Sequence, residues 1–212
     1  MLIGLLLFWA FVFAVLTIHT EYRGPRLLAY LFRPLTMTLF ISLVIEAGKG
    51  GATFYRVAVG AGLVFSLGGD VFMMLKRKRF LEGLLCFLVA HIFYASAFIS
   101  GMSFRFPPWP AALLLAFAAT LFGVLYPRLG RMKVPVFIYS LVMLVMAAAA
   151  VCRYDQTRTP GALTAAAGAV LFMLSDGVLA VNRFRKPFRS AQALILSAYF
   201  AAQGLIALSV CL

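Results

Sequence analysis

Asp70 and Asp176 are carboxylates set in otherwise apolar stretches, and two acids with a cation within reach are enough for general acid–base chemistry. Asp70 stands six residues before Lys76, and Asp176 stands seven before Arg183. Arg33 lies about six residues inside its own apolar run. On helices rising 1.5 Å per residue, all three would sit roughly 9 Å below one basic boundary. His91, nine residues after Glu82, falls deeper, at roughly 14 Å. One guanidinium neutralises one carboxylate. The second acid must then be protonated, solvated in a cavity, or share a proton with its neighbour, and those conditions produce a working acid and a working base. The ordinary alternative is an ion pair that only locks helices together, and the second acid weighs against it.

Neighbouring polar residues fall on the same helical faces. Gly62, Ser66 and Asp70 are spaced i, i+4 and i+8; His91 and Tyr94 are i and i+3; Gln192, Tyr199 and Gln203 share a stripe; Ser175 and Asn182 flank Asp176. Singly, such residues commonly tie membrane helices together. Together, in one half of the protein, they predict a polar cavity. Only two histidines exist, His19 and His91, so a three-histidine zinc site is impossible, although His91 with both aspartates leaves one metal-binding alternative open. Ser66 or Ser175 beside His91 could in principle form a nucleophile pair, but no nucleophile-elbow sequence accompanies either. The expectation is a site without metal or cofactor.

The elements that must position these groups are membrane-spanning helices. Of 212 residues, 64% are hydrophobic and 12% charged, and the mean hydropathy is +1.02, a balance that a water-soluble core of this size could not hide. Runs long enough to cross the hydrocarbon lie near 2–18, 27–46, 55–75, 81–100, 110–126, 134–152, 161–182 and 190–211. They predict an all-α polytopic bundle of about eight transmembrane helices. The opening run has no basic residue ahead of it, and it is expected to be the first helix rather than a secretory signal. Gly24-Pro25, Pro107-Pro108, Pro127, Pro160-Gly161 and Pro187 mark short loops, so residues 1–212 are expected to form one membrane domain. The segments ending in Asp70 and Asp176 both precede basic loops, and Arg33-Pro34 has a counterpart in Lys133 and Pro135. That echo is compatible with a four-plus-four parallel duplication.

The formal charge of +13 would point to nucleic acid in a soluble chain, but its distribution assigns it to topology, and no nucleic-acid partner is expected. Loops after odd-numbered helices hold Arg23, Arg26, Lys76, Arg77, Lys78, Arg79, Arg128, Arg131, Lys133, Arg183, Arg185, Lys186 and Arg189; the opposite side holds Lys49, Arg56, Arg105, Arg153 and Arg158. By the positive-inside rule the first group faces the cytoplasm and both termini face outward, with some affinity for anionic headgroups. The expected location is a bacterial inner membrane. Cys86, Cys152 and Cys211 are scattered in apolar runs and read as packing residues.

The run Gly62-Leu63-Val64-Phe65-Ser66-Leu67-Gly68-Gly69-Asp70, followed by Phe80, Gly83, Phe87, Ala90-His91 and Tyr94, resembles the central signature of the YhhN family of lysoplasmalogenases. Phe172-Met173-Leu174-Ser175-Asp176, Leu179-Ala180, Asn182-Arg183-Phe184, Tyr199, Gln203 and Leu205-Ile206 resemble its C-terminal signature. The likeness runs from about residue 33 onward. One departure is Arg33 before Pro34, where the family pattern usually has lysine; the charge survives, but a planar guanidinium is not an ammonium. The resemblance implies an eight-helix enzyme that hydrolyses the vinyl ether of lysoplasmalogens drawn from the bilayer. Its products would be a fatty aldehyde and glycerophosphoethanolamine or glycerophosphocholine. Asp70 and Asp176 would divide the acid and base roles, as paired carboxyls do in glycoside hydrolysis. Arg33 would hold one of them ionised, while His91, Tyr94, Ser66 or Gln203 positions water.

The rival reading is a proton-coupled transporter of a lipid or small metabolite, with the aspartates as proton relays. Placement of both acids toward one side argues for the enzyme. A lipid scaffold is a third reading, which buried acids disfavour. The sequence sets no oligomeric state.

Overall fold

The computed structural model describes residues 2–48, 53–75, 79–102 and 108–212. Lys49, Lys76, Arg77, Lys78 and Arg105 lie outside the described residues. The rest are helical wherever they are regular: α1 Leu2–Arg23, α2 Arg26–Glu46, α3 Phe54–Met74, α4 Phe80–Ile99, α5 Pro108–Leu125, α6 Lys133–Thr157, α7 Pro160–Ala180 and α8 Ala191–Leu208. Among the described residues seven helices are long and apolar enough to cross a membrane. The eighth is α5, with 18 residues. The chain is an integral membrane protein with the expected polytopic architecture.

Local chemistry explains the helix limits. Gly24-Pro25 stops α1, because proline offers no N–H to continue the ladder. The Thr159 hydroxyl caps α7 by accepting from the Ala162 N–H at 3.2 Å, ahead of Pro160 in the first turn. Two helices outrun the apolar runs that predict them. α1 continues to Arg23 and α6 to Thr157, since a helix carries on past the hydrocarbon until a breaker or cap ends it.

Leu27, Ile45, Phe11, Val134 and Leu113 are all well exposed, an arrangement stable only when the solvent is lipid. The interior is built from small side chains. Ala90, Ala97, Ala147, Ala150, Ala165, Ala169 and Ala202 are fully buried and let helix axes approach closely, the usual packing mode within membranes. Gly62 is required by such an approach, because a Cβ there would lie 2.3 Å from the Tyr94 ring.

Consecutive helices pack pairwise, α1 on α2, α3 on α4 and α7 on α8 most extensively. Contacts α2·α3 and α6·α7 close each half, and α4·α6 with α2·α8 join the halves. This pattern repeats across a four-plus-four division. It breaks at α1 and α5: α1 reaches α8, whereas α5 leans mainly on α6.

Away from the basic loops, side chains tie the helix ends together. Arg153 donates to the carbonyls of Ser100 at 2.6 Å and Phe98 at 3.4 Å, its guanidinium stacks 4.7 Å over Tyr55, and the Tyr55 hydroxyl is 2.7 Å from that of Ser209. A cation thereby meets the last carbonyls of α4, the negative end of that helix. At the basic end the Tyr22 hydroxyl donates to the Arg189 carbonyl at 2.7 Å and accepts from the Ala193 N–H at 3.0 Å, tying α1 to the start of α8.

Candidate active site

Two carboxyls project inward from α3 and α7, and the neighbouring helices give them different partners. Asp70 is fully buried. The Arg33 Nε and Nη2 both donate to its Oδ1, at 2.8 and 2.7 Å, and the Tyr199 hydroxyl donates to Oδ2 at 2.7 Å. The guanidinium also lies 5.9 Å from the Tyr199 ring centroid. Both oxygens of Asp70 are thus occupied by helices α2 and α8, and a buried charge is tolerated only with such partners. Arginine's rigid fork suits this geometry.

Asp176 receives the Tyr139 hydroxyl on Oδ2, and His91 Nε2 stands 3.9 Å from the same oxygen. Its side chain is 11% exposed, against 0% for Asp70. Among the described residues no arginine or lysine pairs with Asp176, and Oδ1 has no hydrogen-bond partner. The His91 ring is held edge-on by Tyr139, with centroids 5.1 Å apart, and by Phe172, at 4.6 Å.

The two arrangements are matched in sequence. Arg33 precedes Asp70 by 37 residues, and Tyr139 precedes Asp176 by the same 37. A guanidinium in one half corresponds to a phenol in the other. Tyr139 is a partner of the candidate acid that the sequence does not announce, because tyrosine in an apolar helix looks like packing; the equal spacing is the signal that points to it. Lys133 and Pro135 are therefore not the counterpart of Arg33-Pro34 at this site.

A cavity of about 230 Å³ opens at the basic end, walled by Arg33, Asp176, Asn182, Arg183, Gln192 and Tyr199, with Met73, Phe80, Phe87 and Leu179 as its apolar side. Asp176 reaches this space and Asp70 stands behind Arg33 and Tyr199. A second polar recess of about 380 Å³ adjoins it at Arg33, Met73 and Gln192, and includes Glu21 and Tyr30.

The remaining expected residues are divided between this cavity and the packing around it. Ser66, Tyr94 and Gln203 form a buried chain one turn deeper than Asp70, in which the Tyr94 hydroxyl donates to Gln203 Oε1 at 2.7 Å and lies 3.4 Å from Ser66 Oγ. None of the three lines the cavity. The Ser175 hydroxyl lies on the cavity wall but donates to the Ile195 carbonyl at 3.0 Å, fastening α7 to α8. Asn182 Oδ1 accepts from the Phe188 N–H at 3.2 Å. It lies in a π turn, Val181–Arg185, that widens the end of α7, a device frequent at functional sites. In the same turn Arg183 stacks 4.8 Å over the Phe80 ring and lines the cavity.

His91 reaches one aspartate and not both, and among the described residues no three histidine, cysteine, aspartate or glutamate side chains gather closely enough to hold a metal ion. The arrangement can move a proton at Asp176, present a cation to an anionic group through Arg183, and shield both from lipid.

Comparison with known proteins gives this geometry a setting. Residues 28–210 match the YhhN family model. The Uncharacterized membrane protein YhhN of Escherichia coli O157:H7 is 33% identical over 203 residues, spanning 93% of this chain and 96% of its own length. The human Lysoplasmalogenase TMEM86A is 38% identical over 161 residues, 70% of this chain and 62% of that protein. The human Lysoplasmalogenase TMEM86B is 34% identical over 170 residues, 79% and 68% of the two chains. No solved structure matches.

Proposed function

Because the chain belongs to the YhhN family, we propose that it is a membrane hydrolase of ether bonds, a lysoplasmalogenase that cleaves the vinyl ether of lysoplasmalogens to a fatty aldehyde and glycerophosphoethanolamine or glycerophosphocholine. The observation that carries this reading is Asp176, a carboxyl lining a polar cavity within the membrane, held by a phenol and near an imidazole instead of a cation. Relatives named lysoplasmalogenase support the same choice of substrate.

In this mechanism Asp176 gives its proton to the β-carbon of the vinyl ether, which makes the α-carbon an oxocarbenium ion. Water adds to the α-carbon and surrenders a proton to the Asp176 carboxylate, restoring the acid. The hemiacetal hydroxyl then loses its proton as the C–O bond to glycerol breaks, and the glycerol oxygen gains one; His91 is placed to relay it. One water is consumed, and one aldehyde and one alcohol form. Tyr139, donating to Oδ2, leaves Oδ1 free to carry the transferred proton. Arg33, Asp70 and Tyr199 act as a positioning group that fixes the cavity's other wall. Arg183, with Gln192, meets the substrate phosphate, for which a guanidinium is well shaped.

A transporter reading requires a path through the bundle. Met37, Leu43, Leu63, Tyr94 and Phe98 fill the interior with no accessible surface, and the two polar recesses lie at the basic end. We place the basic end in the cytoplasm of a bacterial inner membrane, both termini outside, on the strength of the loop charges.

The test is purified protein in detergent supplied with a lysoplasmalogen, the aldehyde being trapped and quantified. Aldehyde release that Asp176→Asn lowers by about two orders of magnitude or more, the scale of losing a general acid, is the expected result. No release from the unaltered protein, or undiminished release from Asp176→Asn, overturns the proposal.

A further inference from the structure

Resting on that reading, we infer that the alkenyl chain of the substrate lies in a slot between α5 and α6 that begins at Asp176 and opens sideways into lipid. The polar cavity shares a wall with a second, narrow one of about 40 Å³: Met73, Phe80, Phe87, Asp176 and Leu179 line both. Beyond that wall the narrow cavity is apolar, enclosed by Leu125, Val136 and Met143. Its outer lining includes Phe122 and Ser140, which also line a groove of about 280 Å³ on the lipid side of α5 and α6. The groove is floored by Ala118, Ala119 and Gly123, and a Cβ on Gly123 would meet nothing within 4 Å. Helix α5 has α6 as its main helical partner, so the groove follows the line where these two helices meet.

Polarity decides the occupant. A lysoplasmalogen changes from polar to apolar at its vinyl ether, the first two carbons of its chain. Asp176 stands where a polar chamber changes to an apolar slot, so a substrate lying across that boundary presents the reacting carbons to the carboxyl with its phosphate toward Arg183. A second acyl chain would have to enter the polar chamber, which gives a physical reason for taking single-chain lipids. A larger apolar groove of about 490 Å³ runs between α1, α2 and α8, lined by Leu7, Phe11, Phe40 and Phe200, but it shares no wall residue with Asp176. Continuity with the carboxyl, rather than volume, selects the α5–α6 slot.

The experiment uses a non-hydrolysable alkyl-ether lysophospholipid with a photoactivatable diazirine in its chain, irradiated with the full-length protein and mapped by mass spectrometry, with unlabelled lysophospholipid as competitor. Competable adducts within 121–125 and 136–144 are expected. Competable adducts confined to the α1, α2 and α8 groove overturn the inference, whatever the enzyme does. In parallel, Ser140→Trp should lower kcat/KM for a long-chain lysoplasmalogen by about tenfold, the scale of losing one or two well-packed methylenes, while a short-chain substrate changes by less than about twofold. Ile138→Trp, on the lipid face of the same helix, should change neither. Equal losses on long and short chains, or none, sink the slot. Failure of the hydrolase reading shows differently: competable labelling of the slot with no aldehyde from any vinyl ether substrate.

Discussion

Asp70 and Asp176 carry the same functional group at matched positions, yet their partners set them apart. Removing Arg33 strands a fully buried carboxylate, so Arg33→Met should destabilise the protein by about 3 to 5 kcal/mol, read as a lowered unfolding midpoint in detergent. Replacing both partners, Arg33→Met with Asp70→Leu, should recover most of that loss, because an apolar pair of similar size needs no counter-ion. Asp176→Asn should unfold close to the unaltered protein and still be inactive. The contrast separates an acid that supports the site from one that reacts. Tyr139→Phe removes a single hydrogen bond and should cost about 1 kcal/mol of stability, with a larger loss of kcat than of substrate affinity. Equal unfolding midpoints for Arg33→Met and the unaltered chain would count against the assignment of roles. The candidate acids, Arg33 and His91 were readable from sequence because charge inside an apolar run needs a cause. Which acid met the cation was not readable, since spacing along a helix gives depth but says little of which neighbour lies across from it. Tyr139 was missed for a related reason: its hydroxyl has a role only once α6 is placed beside α7.

At the level of helices, close approach makes sharp predictions. Gly62→Ala puts a methyl where the Tyr94 ring lies and forces that ring off its bond to Gln203; a loss of about 1 to 3 kcal/mol is expected. Gly60→Ala, whose new atom would meet only Val44 at 3.7 Å, should leave the unfolding midpoint nearly unchanged. If thermal denaturation gives both variants the same midpoint, the tight α3–α4 contact is wrong. The helices themselves were almost wholly legible, because length and apolarity suffice when the solvent is a bilayer. Their partners were less so. Hydropathy treats α5 and α4 alike, although α4 is half interior and α5 stands at the margin, a difference that resides in side-chain packing rather than in composition. The π turn at Val181–Arg185 was also out of reach, since nothing in Val-Asn-Arg-Phe-Arg distinguishes a widened turn from an ordinary helix end.

For the whole molecule, the polar recesses and Asp176 stand at one end, beside Arg183, while Arg153, Tyr55 and Ser209 lie at the other. Fusing alkaline phosphatase to the C-terminus should give an active reporter, and a fusion in the loop after α7 an inactive one; the reverse pattern would turn the molecule over in the membrane. On the proposed binding mode the cavity would have two exits that differ in solvent, one to water beside Arg183 and one to lipid between α5 and α6. A reaction at the point where they meet would sort its products as it makes them: the glycerophospho fragment leaves into the aqueous phase, and the aldehyde, reactive toward amines, slips back among acyl tails. Neither fragment would need to pass the other on its way out, and the aqueous phase would be spared the electrophile.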